Sequence, residues 1–277
     1  WLTLHEAYGT VDRERLFQTA IGYAEEGSPV THMAHRLIDR GVDTLSRYPT
    51  SASIMLTSQG RAPAPGARLK MPQLADSMRR VAAGGQDAFY RGELTERMVK
   101  ASREMGGLFT VEDFADYEAR WQEPVRVAYR GYEVVTTPPN SGGFQILQTL
   151  KLLEGFGAQD LVYQHPDTLH LMIEAVKLCV TDRIAYGGDP DHVTVPLDAL
   201  LSESYASSQR VRIDRERASP VAGEHFTLSG PPGSLEPGDI ESATGGMTTH
   251  FAVADRDGNV VTVTQTLGGG FGSGIAI

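Results

Sequence analysis

The stretch GGMTTHFAVADRDGNVVTVTQT runs from Gly245 to Thr266. It holds two alternating runs, THFAVAD and VVTVTQT, separated by the turn-forming RDGN, and so predicts a β-hairpin. A plain hairpin has no need to begin on Thr248, Thr249 and His250 directly after a glycine-rich lead-in, or to end on Thr266. A threonine hydroxyl is a poor nucleophile unless a base sits beside it. One economical base is the residue's own α-amine, which exists only once the chain is cut before it and which titrates near pH ~8. The residues ATGGM followed by Thr248 fit such a self-cutting junction: flexible glycines, then a threonine opening a rigid strand. Residue type by itself also allows a plainer reading. Thr248 and Thr249 are then β-branched residues suited to a strand, and His250 a structural hydrogen-bonder.

Upstream of the hairpin, residues 219–247 are dense in Pro, Gly and Ser and have no period, which reads as a linker or a flexible tail. Before that, the pattern is mostly helical. VDRERLFQTAIGYAEEG has apolar residues at Leu16, Phe17, Ala20, Ile21 and Ala24 and closes on Gly27. THMAHRLIDRGVDTLSRY continues in the same way, and APAPGA at 62–67 is a loop. Helices are predicted again in MPQLADSMRRVAAGG and in QDAFYRGELTERMVKASREMGG. Thr110 is placed to cap a short helix with Glu112 and Asp113 in its first turn. EPVRVAYRGYEVVTTPP then alternates and predicts two strands joined at Arg130–Gly131. PPNSGG at 138–143 reads as a turn or as a lining of the active site, and proline and glycine suffice for the turn. Helices follow in FQILQTLKLLEGF, over about 166–186, and in LDALLSESYASSQRVRI. Helices first, then strands in the middle and at the end, predict an α+β fold or a layered α/β fold with an antiparallel sheet.

The 277 residues are enough for a sizeable core, and the net charge is −10. An acidic balance argues against a nucleic-acid surface. There is no run of 18 or more apolar residues of the kind that spans a membrane. The opening WLTLHEAYGT has neither the basic start nor the apolar core of a signal peptide, and both ends read as cut from something longer. Cys179 is the lone cysteine and falls on an apolar helical face, where a buried small hydrophobe is expected. The histidines show no zinc-like spacing beyond the i, i+3 pair His32 and His35. GGGFGSG at 268–274 lacks the Lys-Ser/Thr ending of a phosphate-binding loop.

The segment TTHFAVADRDGNVVTVTQTLGGGFGSG resembles the start of the small subunit of the γ-glutamyltranspeptidases, which are N-terminal-nucleophile hydrolases. LTLHEAYGT, AIGYAEEGSPV, FTVEDFADYEARWQEPVRVAYRGYEVVTTPPNSGG and EAVKLCVTDRIAYGGDPD resemble landmarks of that family's large subunit, in the same order. The resemblance implies a four-layer αββα sandwich. It implies a large-subunit portion at 1–247, with its flexible tail at about 219–247, and the start of the small subunit at 248–277, together one domain. Thr248 would be the nucleophile, released by autocleavage of the Met247–Thr248 bond, and Thr266 would support it. Both subunits would come from one precursor. The substrate would be a small-molecule amide, foremost a γ-glutamyl compound such as glutathione, with transfer to water, an amino acid or a peptide. No cofactor or metal is implied.

One departure bears on specificity. The family commonly has Thr-Leu-Asn where this chain has Thr266-Leu267-Gly268, and that Asn helps to hold the amino-acid end of the glutamyl group. Losing one charge-assisted hydrogen bond costs about 1.5–3 kcal/mol. Relatives of the same fold act on oxamate-like or acylated β-lactam amides, so a non-glutamyl amide is the alternative substrate class. A third reading is an unprocessed, non-catalytic homologue that serves as a binding protein. The family's carboxylate-gripping arginine is expected before Trp1, and its acidic and oxyanion-hole residues after Ile277.

Overall fold

The computed structural model describes residues 1–219 and 248–277. They form a mixed helical and β structure in two compact units, residues 1–119 with 248–277, and residues 120–219.

The first unit opens with α1 (Leu2–Tyr8), α2 (Arg13–Glu26), β1 (Ser28–Pro29), α3 (His32–Arg40), α4 (Val42–Ser46) and α5 (Pro49–Met55). It continues with β2 (Arg68–Leu69), α6 (Pro72–Tyr90), α7 (Glu93–Glu104) and α8 (Val111–Ala115). Helix α2 stops where expected, because Gly27 takes a φ of +93°, open to glycine and costly for other residues. Thr31 caps α3 by accepting the Ala34 N–H at 3.0 Å. Thr110 and Asp113 form a reciprocal capping box on α8.

Helix α1, within WLTLHEAYGT, has seven residues and buries none. One element departs from the sequence reading. The glycine pair Gly84–Gly85 is expected to end a helix. Instead α6 runs on through a kink, with Gly85 at φ 67°, ψ −147°. Arg13 makes this possible from α2. Its guanidinium donates to the Ala82 and Ala83 carbonyls, at 2.6 and 2.8 Å, and satisfies acceptors that the kink releases.

The second unit begins with the antiparallel pair β3 (Val125–Tyr129) and β4 (Tyr132–Thr136). Their turn is Arg130–Gly131, both at positive φ. Helices α9 (Gly143–Glu154), α10 (Pro166–Tyr186), α11 (Leu197–Leu200) and α12 (Glu203–Arg210) follow. Leu152, Leu153 and Phe156 pack with Leu171, Ala175, Cys179 and Ala206 into one apolar cluster. Cys179 is fully buried there, and burial pushes its thiol up to about 12, as suits a small hydrophobe. Beside the cluster lies a polar knot. The Gln148 amide donates to Asp182 at 2.5 Å, and the Tyr205 hydroxyl lies 3.0 Å from both Asp182 oxygens. In PPNSGG, Ser141 N–H donates to the Pro138 carbonyl at 3.2 Å, and Asn140 takes a φ of +72°, the geometry of a turn.

The chain returns to the first unit as β5 (Thr248–Ala254) and β6 (Val260–Thr266), an antiparallel hairpin. Asp255 organises its turn by accepting the Asp257 and Asn259 backbone N–H groups, each at 2.9 Å, while Gly258 sits at φ +87°. Among the described residues the strands form three two-stranded sheets. Of the expected tail at 219–247, all but Ser219 lies outside the described residues.

Candidate active site

The hairpin register is the first geometric fact. Thr248 stands opposite Thr266, and two residues further in His250 stands opposite Thr264. Side chains alternate along a strand, so Thr248, His250, Thr264 and Thr266 share one face. Thr249 pairs with Gln265 on the other face, beside the pair Phe251 and Val263. The sequence places Thr248 and Thr266 eighteen residues apart, and the hairpin brings them to the same rung.

Two of the hydroxyls on this face are held. Gly268 N–H donates to Thr266 Oγ1 at 2.9 Å, a local turn that fixes the threonine as β6 ends. His250 Nδ1 and Thr264 Oγ1 are hydrogen-bonded at 2.7 Å across the two strands. Gly268 itself has a φ of +82°, and a Cβ built on it meets nothing within 4 Å. The position is therefore restricted by backbone conformation and not by space. Met247 lies outside the described residues.

The segment after β6 is docked against the helices at the start of the chain. Phe271 packs on the apolar cluster of Ile38, Leu45 and Ala62, together with Met55 and Leu56. It reaches that place because residue 41 is glycine, where a Cβ would come within 2.7 Å of the Phe271 ring. Ser51 completes the anchor. Its buried hydroxyl donates to the Gly274 carbonyl at 2.7 Å and accepts the Ala276 N–H at 2.9 Å. Within the run 268–274, it is Phe271 and Gly274 that pack closely on the helices, a Cβ on Gly274 coming within 2.5 Å of Thr44. Sequence reasoning missed Ser51; its only signal is a small polar residue in the run TSAS, which marks nothing until position 274 is seen beside it.

Among the described residues the other histidines do not gather. His35 donates from Nδ1 to the Pro63 carbonyl at 2.9 Å. Among the described residues no group of three or more His, Cys, Asp or Glu could hold a metal ion.

The family model for gamma-glutamyltranspeptidase matches residues 1–277. The chain belongs to the gamma-glutamyltranspeptidase family. Relatives with two different named activities are among those it resembles. A glutathione hydrolase proenzyme of Escherichia coli (strain K12) is 35% identical over 272 residues, covering 98% of this chain and 45% of the relative. An acylase ACY 1 proenzyme of Pseudomonas sp. (strain SE83) is 37% identical over 279 residues, covering 100% of this chain and 47% of the relative. Among solved structures, a cephalosporin acylase from Bacillus halodurans superposes with a TM-score of 0.83 at 32% identity, over 100% of this chain and 48% of that one. The chain thus spans about half the length of the relatives it matches.

Proposed function

We propose that the protein is a self-processing enzyme that cleaves amides and transfers the acyl group, with Thr248 as its nucleophile and Thr266 as the supporting hydroxyl. The observation that carries this is the rung Thr248–Thr266 with the Thr266 oxygen anchored by the Gly268 N–H. A hydroxyl that accepts from an amide is a stronger donor of its own proton, and Thr266 is oriented to give that bond to the Thr248 oxygen as charge develops there.

Self-cleavage begins when Thr248 Oγ attacks the Met247 carbonyl carbon. The peptide C–N bond breaks as a C–O ester forms, and the Thr248 nitrogen takes a proton to become an amine. Water then hydrolyses the ester, separating a large-subunit portion 1–247 from a small-subunit portion that starts at 248. In turnover the new α-amine takes the hydroxyl proton, Oγ attacks the substrate carbonyl, and the amine hands the proton to the leaving nitrogen. Water, an amino acid or a peptide amine attacks the resulting acyl-ester and frees Thr248. These steps use no cofactor. The mixed helical and β structure fits inside the family's four-layer αββα sandwich, the architecture we propose for the whole.

The favoured substrate class is a γ-glutamyl amide such as glutathione. Gly268 supports a second reading, a non-glutamyl acyl amide, because this residue has no side chain to grip an amino acid, and the similar acylase proenzymes fit that alternative. Intact mass of freshly purified full-length protein, under denaturing conditions, tests the core proposal. Two masses that sum to the chain, the smaller beginning at Thr248, support it. One undivided mass that persists on incubation overturns it and favours a non-catalytic binding protein. Turnover of γ-glutamyl and non-glutamyl amides, with and without an amino-acid acceptor, then separates the substrate classes.

A further inference from the structure

We infer that His250 is a positioning residue for Thr248, acting by locking the Thr264 hydroxyl on the face that both threonines of the reactive rung occupy. This rests on the proposed function and adds a residue to its machinery.

The argument starts from the register. His250 follows Thr248 by two residues on β5, and Thr264 precedes Thr266 by two on β6, so the two pairs are neighbouring rungs of one face. The bond from His250 Nδ1 to Thr264 Oγ1 crosses between strands at 2.7 Å. The bonded pair is the rung next to Thr248–Thr266 on that face, and beyond the Thr248–Thr266 rung the Gly268 N–H holds Thr266 Oγ1 at 2.9 Å. Thr264 and Thr266, the two hydroxyls that face Thr248 directly or diagonally, are each tied by a hydrogen bond.

Ordering of this kind matters most before the α-amine exists. In the uncut chain Thr248 Oγ must meet the Met247 carbonyl with no base of its own, so the barrier depends on how well the hydroxyl is held in an attacking pose. A neighbouring rung held by a cross-strand bond restricts the rotamers on that face and acts on that step. It contributes less once the amine is in place as base. The inference therefore separates the two activities: losing the His250–Thr264 bond slows self-cleavage more than it slows turnover by protein already cut.

The experiment uses the full-length protein and follows the single-chain band against time. His250→Ala and Thr264→Val are each expected to slow self-cleavage by roughly three- to tenfold, the size of one neutral hydrogen bond. The double variant is expected to be no slower than either single variant, since both remove the same bond. His250→Asn keeps a polar group near the Nδ1 position and is expected to recover most of the rate, as is Thr264→Ser. Thermal midpoints of the purified proteins are measured in parallel. The inference is overturned if His250→Ala self-cleaves at the parent rate, if the two substitutions add, or if the rate loss merely follows a fall in midpoint. Failure of the parent protein to cut at 247/248 would sink the proposed function itself, a separate outcome visible in the same gel.

Discussion

The Ser51 hydroxyl donates to the Gly274 carbonyl at 2.7 Å across 223 residues of chain, and it accepts the Ala276 N–H as well. One buried side chain therefore satisfies two backbone groups on the segment that follows the β5–β6 hairpin. Ser51→Ala leaves both without a partner, at a cost of about 1–3 kcal/mol. A thermal midpoint several degrees below the parent's is expected in the full-length protein. An unchanged midpoint would show that the anchor contributes nothing.

Gly268 makes a prediction of opposite sign. A Cβ there meets open space, and the φ of +82° is one that asparagine tolerates better than most residues. Gly268→Asn is expected to fold and to strengthen recognition of γ-glutamyl amides by about ten- to a hundredfold, the worth of one charge-assisted hydrogen bond. Gly268→Ala carries the same backbone strain without the amide and serves as control. The measurement is kcat/KM for a γ-glutamyl and a non-glutamyl amide with all three proteins. Equal ratios in the three would remove residue 268 from substrate selection.

Tyr205 sets a pH dependence in the alkaline range. Burial first, and then its bond to Asp182, push its phenol from 10.0 up to about 12. The folded state thus keeps the proton that the unfolded chain releases. Stability from this phenol is complete below about pH 10 and is lost as pH rises through 12. The parent should lose stability more steeply than Tyr205→Phe between those values, read as urea midpoints at each pH. The buried Cys179 thiol is shared by both proteins and cancels in the difference. Parallel curves would contradict the assigned coupling.

Cys179 gives a simpler test. A thiol pushed up to about 12 and fully buried is almost wholly protonated at neutral pH and shielded from reagents. Alkylation by iodoacetamide is expected only after denaturation, followed by mass. Rapid labelling of the native protein would mean that the α10 face opens.

Much of this was legible in the chain. Leu16 to Ala24 repeat at helical spacing and end on a glycine, the residue that tolerates the positive φ at which α2 stops. The hairpin was legible from alternation around RDGN, since period two and a turn are both local properties. The helix through Gly84–Gly85 was not. Its continuation depends on Arg13, about seventy residues away in sequence, whose bonds reach the freed carbonyls. Ser51 was hidden for the same reason, as its partners Gly274 and Ala276 lie at the far end of the chain.

By itself the sequence determined the elements and the family. Strand alternation, helix period, caps and the ordered motifs around Thr248 all depend on neighbours within a few residues, or on residue identity alone. Tertiary structure decided the rest: that Phe271 enters the helical core beside Gly41, and that Ser51 ties down the following segment. These contacts join residues that carry no signal of one another along the chain. They arise only when buried apolar area and unsatisfied backbone groups must be accommodated together, which happens once the chain has folded.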